Sequence, residues 1–390
     1  MGDSRSTVLA ATSTCHGWIH VCELSVPAVL LAIQADFGVG DLEMGRVVAL
    51  YTMLFGVGSL PAGLLVDRFG SRFMLLACMF GAGLSLAAMA LSHDLITFTA
   101  SAAVMGAALS IYHPAGTTWI SHALPQSGRI FAWHGMAGNT GVALASLIVG
   151  GLGWKFGWRT AFGVLAIVSI LIGFWLTTIG TTGRTHSRIG SLRAPRYAAI
   201  IALLVGIGFT GMVYRGMTTF LPKLFAQRMT DVADRGVLVG GIWTTVALCV
   251  GLLGMYVAGR LSDHGIHPAM VFLIGALMQI PFLIMIPHVH GMTTVPLVMA
   301  VSFFHFFTQP VGNQLVARLT PPELRGVGFG LYFMLSFGLG ASGAYVGGWV
   351  SDRYGLAATF TALAILAVPA VLSMLLIRRW APGSKVSASV

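Results

Sequence analysis

Charge is what this chain has least of. Of 390 residues, 9% are Asp, Glu, Lys or Arg, and 12 are acidic. Soluble domains carry about 25% charged residues, so a water-exposed surface cannot be assembled from this composition. Cysteine is scarce too. Cys15, Cys22, Cys78 and Cys249 all lie inside apolar runs, which argues against a disulfide framework and matches no zinc-ribbon spacing. No glycine-rich phosphate loop is present, so nothing calls for ATP and no cofactor is expected. No Ser/His/Asp or Cys/His set has a polar scaffold around it, and the chain is not read as an enzyme.

Apolar residues fill the space. The chain is 56% hydrophobic with 50 glycines, and its mean hydropathy is +0.85. It divides into spans of about 20 residues, the length that crosses a hydrocarbon core. Twelve are expected, near 8–34, 44–67, 72–91, 95–121, 129–152, 159–179, 197–222, 236–259, 268–287, 294–317, 325–350 and 356–379. The first apolar run continues to about Ile33 and carries His16, His20 and Glu23, so it reads as a permanent span rather than a cleaved signal. The longest polar connector, 181–196, holds Arg184, Arg188, Arg193 and Arg196 and reads as a cytoplasmic linker. It separates a six-helix half at 1–180 from another at 197–390.

A formal charge of +10 does not point to nucleic acid, because no basic, soluble face exists to present it. Basic residues of membrane proteins gather on cytoplasmic loops. Placing both termini inside puts 14 Lys and Arg on that side and 7 on the other, with Arg215 left within a span. The expected setting is therefore the cell inner membrane, with lipid as the surrounding partner and a monomer as the assembly.

The chain also repeats itself at half its length. Gly63-Leu64-Leu65-Val66-Asp67-Arg68-Phe69-Gly70-Ser71-Arg72 is a charged turn between apolar runs, and a degenerate copy, Gly259-Arg260-Leu261-Ser262-Asp263-His264-Gly265, follows 196 residues later. Tyr112-His113-Pro114-Ala115-Gly116 answers to Thr308-Gln309-Pro310-Val311-Gly312, and Arg129 to Arg325, at the same offset. One repeat inside membrane-grade hydrophobicity predicts a transporter built from two parallel halves.

On these residues the chain resembles the major facilitator superfamily of transporters. Gly63, Asp67, Arg68, Gly70 and Arg72 match that family's signature loop between helices 2 and 3, and the likeness covers essentially the whole chain. A narrower likeness lies in Ser110-Ile111-Tyr112-His113-Pro114 and in the run from Phe131 to Gly141, which is similar to the fosmidomycin-resistance branch of proton-coupled drug exporters. The resemblance implies an all-α membrane protein, twelve helices in two halves related by a pseudo-twofold, and a central cavity bordered by helices 1 and 7.

Charges inside a bilayer cost several kcal/mol, so each intramembrane one is a functional candidate. Glu23 is the acidic residue deep within a span, and Arg215 the basic one. Subtracting the 196-residue offset from 215 gives 19, one helical turn from 23, so the two lie at similar depth. Glu23 is expected to couple protons and Arg215 to hold an anion. The plainer alternative is a buried ion pair that locks the halves together.

His16, His20 and Glu23 share one face of helix 1 at i, i+4, i+7 spacing. That stripe suits either a polar cavity wall or a transition-metal site. His113 and Gln309 are repeat partners, each directly before a proline that removes a backbone donor, and both are candidate substrate or proton-relay contacts. Tyr112, Trp133, His134, Asn139, His305 and Asn313 follow, with the reservation that intramembrane polar groups often only link helices.

Gly63, Asp67, Arg68, Gly70, Arg72 and Asp263 are expected to act as a conformational latch, with charges pairing across the halves. Gly135, Gly138 and Gly141, and likewise Gly338, Gly340 and Gly343, are expected at close helix crossings. Together these features predict a proton-coupled secondary transporter of a small anionic or amphipathic solute, favoured as an exporting antiporter. The alternatives are symport of an organic anion into the cell, or a divalent-metal carrier using His16, His20 and Glu23.

Overall fold

A computed structural model describes residues 4–123, 128–180, 197–229, 235–320 and 325–380. The expected linker at 181–196 and the side chains of Asp67, Arg129 and Arg325 lie outside the described set. The described residues form twelve helical rods: α1 (4–37), α2 (41–69), α3 (Ser71–Ala90), α4 (95–123), α5 (Gly128–Phe156), α6 (Trp158–Thr177), α7 (Tyr197–Met229), α8 (Gly236–Asp263), α9 (268–288), α10 (Thr294–Leu319), α11 (325–354) and α12 (Leu356–Trp380). Eleven of them, α2 to α12, contain stretches long and apolar enough to cross a membrane. α1 falls short because it is interrupted at Leu24 and Val29.

The interruptions follow from proline. Pro27 offers no N–H to the carbonyl of Glu23 four residues earlier, and the Tyr51 hydroxyl donates to that oxygen instead, at 2.7 Å. Pro114 likewise orphans the Ser110 carbonyl, which the Ser59 hydroxyl approaches at 3.4 Å, and α4 breaks between Leu109 and Tyr112. α2 bends at Gly58. α11 contains a π-helical turn, Met334–Leu339, a feature that often accompanies functional sites.

Tight turns join consecutive rods. Gly70, Gly157, Gly265 and Gly355 adopt φ of 86°, 83°, 91° and 87°, which side-chain-bearing residues rarely reach. They end α2, α5, α8 and α11, so each group of six rods uses the same turn twice.

Within the first six rods α1 packs on α5, α3 on α6 and α2 on α4. Within the last six, α7 packs on α12 and α10 on both α8 and α9. The two groups meet along α2–α11 and α5–α8. Backbones touch there: an added Cβ at Gly45 would strike the Ala344 carbonyl, and one at Gly241 the Ser146 carbonyl. Of the expected close-crossing glycines, Gly138 and Gly141 face α1, and Gly340 and Gly343 face α7. Gly135 has open space where its side chain would be, because it points away from α1.

Polar ties between the groups gather at the end of the bundle where α2 begins and α11 finishes. Asp352 accepts from the backbone N–H of Asp41 and of Leu42, each at 2.9 Å. Asp41 in turn accepts from Ser351 at 2.6 Å, Gln34 at 2.7 Å and Lys223 at 2.5 Å. Lys223 also donates to Gln34 Oε1 at 3.1 Å, and a further hydrogen bond between the two groups lies inside the site.

Candidate functional site

At mid-bundle the Arg215 guanidinium donates through Nη2 to Oε1 of Glu23. Both are sealed from solvent, at 1% and 0% exposure. Glu23 ends the first helical segment of α1, where Pro27 releases the chain, and Arg215 lies mid-way along α7. The other carboxylate oxygen accepts from His20 Nδ1 at 2.6 Å. Arg215 Nε and Nη1 are buried without a hydrogen-bond partner among the described residues. A buried, under-satisfied guanidinium is costly, and its unfilled N–H groups can donate to a further acceptor.

Four imidazoles from three rods cluster beside this pair, with His16 and His134 stacked, His16 and His20 tilted and His16 and His113 edge to face. His16 and His134 have ring centroids 4.3 Å apart, His16 and His20 5.1 Å, and His16 and His113 5.4 Å. His16 Nδ1 lies 2.8 Å from the backbone carbonyl of His134, an oxygen that only accepts, so that nitrogen carries the proton. Gly138 makes the stack possible, since a Cβ there would fall on the His16 ring. Tyr112 stacks on His16 at 5.1 Å and donates its hydroxyl to the Thr12 carbonyl at 2.5 Å. His113 faces the last six rods, with Phe333 at 4.9 Å and Phe337 at 5.6 Å. The π-turn of α11 begins between those two phenylalanines.

Some expected residues are elsewhere. His305 accepts a place in α9–α10 packing, 3.2 Å from Gln279 Oε1, and reaches the site only through Tyr214, on which it stacks at 5.5 Å. Gln309, although equivalent to His113 in the repeat, is half-buried, and Asn313 is exposed. Trp133 is 57% exposed and lines no part of the site. Asn139 bonds back to the Gly135 carbonyl at 3.1 Å. The expected set of three ligands on α1 is corrected as well: Glu23 is engaged by Arg215, and the histidines that converge are His16, His20 and His113, each offering a ligand atom within 4.8 Å of the others.

The latch residues divide. Arg72 does not pair across the two groups; it bonds the Leu176 and Thr177 carbonyls at 3.1 and 2.5 Å, capping α6 within its own group. Arg68 lies over the Phe69 ring at 5.3 Å. Gly63 is half-buried, Gly70 forms the turn and Asp263 is exposed. Tyr51, Tyr214, Phe333 and Phe337 were not anticipated as site residues; aromatics in an apolar chain carry no distinguishing pattern.

Comparison with known proteins agrees with this architecture. Residues 17–344 match the Major Facilitator Superfamily. A probable L-galactonate transporter of Escherichia coli K12 is 24% identical over 262 residues, covering 61% of this chain and 57% of that protein. The multidrug efflux pump Tap of Mycobacterium tuberculosis H37Rv is 26% identical over 366 residues, covering 86% and 84%. A bacterial homolog of the human lysosomal transporter Spinster, in an inward-facing and unoccupied conformation, shares the fold with a TM-score of 0.81 at 16% identity, covering 97% and 98%.

Proposed function

The chain belongs to the Major Facilitator Superfamily, and from that premise we propose that it is a proton-coupled secondary transporter of a small organic anion, working by alternating access at Glu23 and Arg215. The halves at 1–180 and 197–390 rock about this site. With both termini cytoplasmic in the inner membrane, the end tied by Asp352 is the outer one, and it is shut in the state described.

The observation that carries the reading is the half-used guanidinium. Arg215 spends one nitrogen on Glu23 and keeps two buried donors unfilled. A substrate carboxylate supplies an acceptor on one of those edges of the guanidinium. A proton arriving at Glu23, through His20 at 2.6 Å, cancels the carboxylate charge and releases Arg215 to the anion. Proton and anion therefore favour each other's binding, and the coupling is reciprocal. This favours co-transport over the exporting antiport expected from the sequence. The likeness to a probable L-galactonate transporter and to a probable galactarate/D-glucarate transporter of Bacillus subtilis supports a sugar-acid class of substrate.

Antiport export of an amphipathic drug is the second reading, favoured by the likeness to Tap. Proteoliposomes loaded with a pH dye separate the two. Hexonate and hexarate anions added outside should acidify the lumen, and Glu23→Gln should abolish proton movement while leaving the protein folded. Luminal alkalinisation on drug addition supports antiport, and unchanged coupling in Glu23→Gln overturns both.

A further inference from the structure

We infer that His16, His20 and His113 form a binding site for one late first-row transition-metal ion, held by three imidazole nitrogens. The three residues come from α1 and α4, and their ligand atoms already lie within 4.8 Å of one another. Metal–nitrogen bonds of about 2.0–2.1 Å at a tetrahedral centre need nitrogens about 3.3 Å apart. Small side-chain rotations close that gap.

The second layer is in place before any metal arrives. Ligating histidines almost always donate their other N–H to a carboxylate or a carbonyl, which fixes the tautomer and aims the lone pair. His20 uses Nδ1 on the Glu23 carboxylate. His16 uses Nδ1 on the His134 carbonyl. Both therefore keep Nε2 free to bind. His113 supplies the independent sign: its Nε2 is buried, at 5% residue exposure, and has no partner among the described residues. His134 Nδ1 is likewise buried and unpartnered beside the His16 ring. A polar nitrogen left unsatisfied in an apolar interior is destabilising, and a metal ion offsets that at the nitrogen it binds.

Ligand chemistry narrows the ion. Imidazole suits copper, zinc and nickel and selects against magnesium and calcium, which take oxygen ligands. All three ligands are neutral, and the Glu23 carboxylate beyond them is balanced by Arg215. A lower ionic charge is therefore cheaper to bury, so cuprous ion should bind more tightly than zinc. Metal on Nε2 of His20 holds its Nδ1 proton on Glu23. The ion is thereby expected to act on the proton step without occupying the anion donors of Arg215.

The test uses the purified, tag-free, full-length protein in detergent, titrated with Co²⁺ as a visible probe and with Cu⁺ against a coloured chelator. One ion per chain is expected, with the intense ligand-field bands of a tetrahedral cobalt centre. His16→Ala and His20→Ala should each weaken binding by about 100-fold or more. His113→Cys should retain the ion and add a sulfur-to-cobalt charge-transfer band, a gain that a misfolded protein does not show. Replacing the exposed His93, His264, His288 and His290 by Ala should change nothing. Binding that survives in His16→Ala and His20→Ala, binding lost with the four surface histidines, or no binding at all overturns the assignment.

Discussion

Replacing Asp352 by Ala is expected to move the chain away from the conformation described above. Its two carboxylate oxygens accept from the first two N–H groups of α2, each at 2.9 Å. The donors belong to the first six rods and the acceptor to the last six, so the bonds exist only while this end is shut. Losing a helix cap costs about 0.5–2 kcal/mol, and a carboxylate on a helix N-terminus adds about 0.3–1 kcal/mol. Asp352 is exposed, so solvent screening favours the low end of the sum, about 1–2 kcal/mol. Tenfold in population corresponds to about 1.4 kcal/mol, which gives a shift of roughly 5–30-fold toward the opposite state.

Spin labels report that balance directly. Leu91 and Met292 lie at this end, on α3's exit and before α10, and are 74% and 58% exposed. Of the four cysteines only Cys249 is exposed, so a Cys249→Ser background with Leu91→Cys and Met292→Cys limits labelling to the chosen pair. The longer inter-label distance should gain population in Asp352→Ala, with Asp352→Asn falling between. An unchanged distance distribution, in a variant that melts like the parent, would refute the reasoning.

Three further outcomes follow from the site. Arg215→Lys swaps a planar five-donor fork for a single ammonium; anion affinity should drop about 10–100-fold by titration calorimetry, since a charge-assisted bond contributes about 1.5–3 kcal/mol. Tyr51→Phe strips the hydroxyl from the Glu23 carbonyl and should destabilise the fold by about 1–3 kcal/mol. Adding Pro27→Ala should return part of that loss, because the new N–H reaches the same oxygen, and a double-mutant cycle of melting curves measures the coupling. Gly138→Ala places a methyl on the His16 ring, and overpacking of this kind costs about 1–3 kcal/mol; thermal melting should register it.

Much of the architecture was legible in the chain, for a physical reason. Span length is fixed by bilayer thickness, so apolar runs and their breaks located the rods, and the 196-residue offset put Glu23 and Arg215 at one depth. What the sequence hid was rotation about each helix axis. His113 joins His16 and His20 because α4 breaks at Leu109 to Tyr112, and no count of spacing reveals the new facing. The same blindness sent Trp133 to the surface and left Gly135 without a neighbour. The Asp352 tie had a visible sign, since Asp352-Arg353-Tyr354-Gly355 echoes Asp67-Arg68-Phe69-Gly70, but its acceptor role needs α2 beside it in three dimensions.

The broken first rod has a consequence for how the protein is made. α1 leaves the ribosome ahead of the other described rods, carrying His16, His20 and Glu23, and it alone among them falls short of an autonomous span. Its counter-charge is Arg215, 192 residues later. At about 5–20 residues per second of synthesis, the carboxylate waits roughly 10–40 seconds for its partner. During that interval α1 has no guanidinium to offset the cost of burying it in lipid. Nascent α1 should therefore linger beside the insertion machinery, and its final seating should date from the arrival of α7.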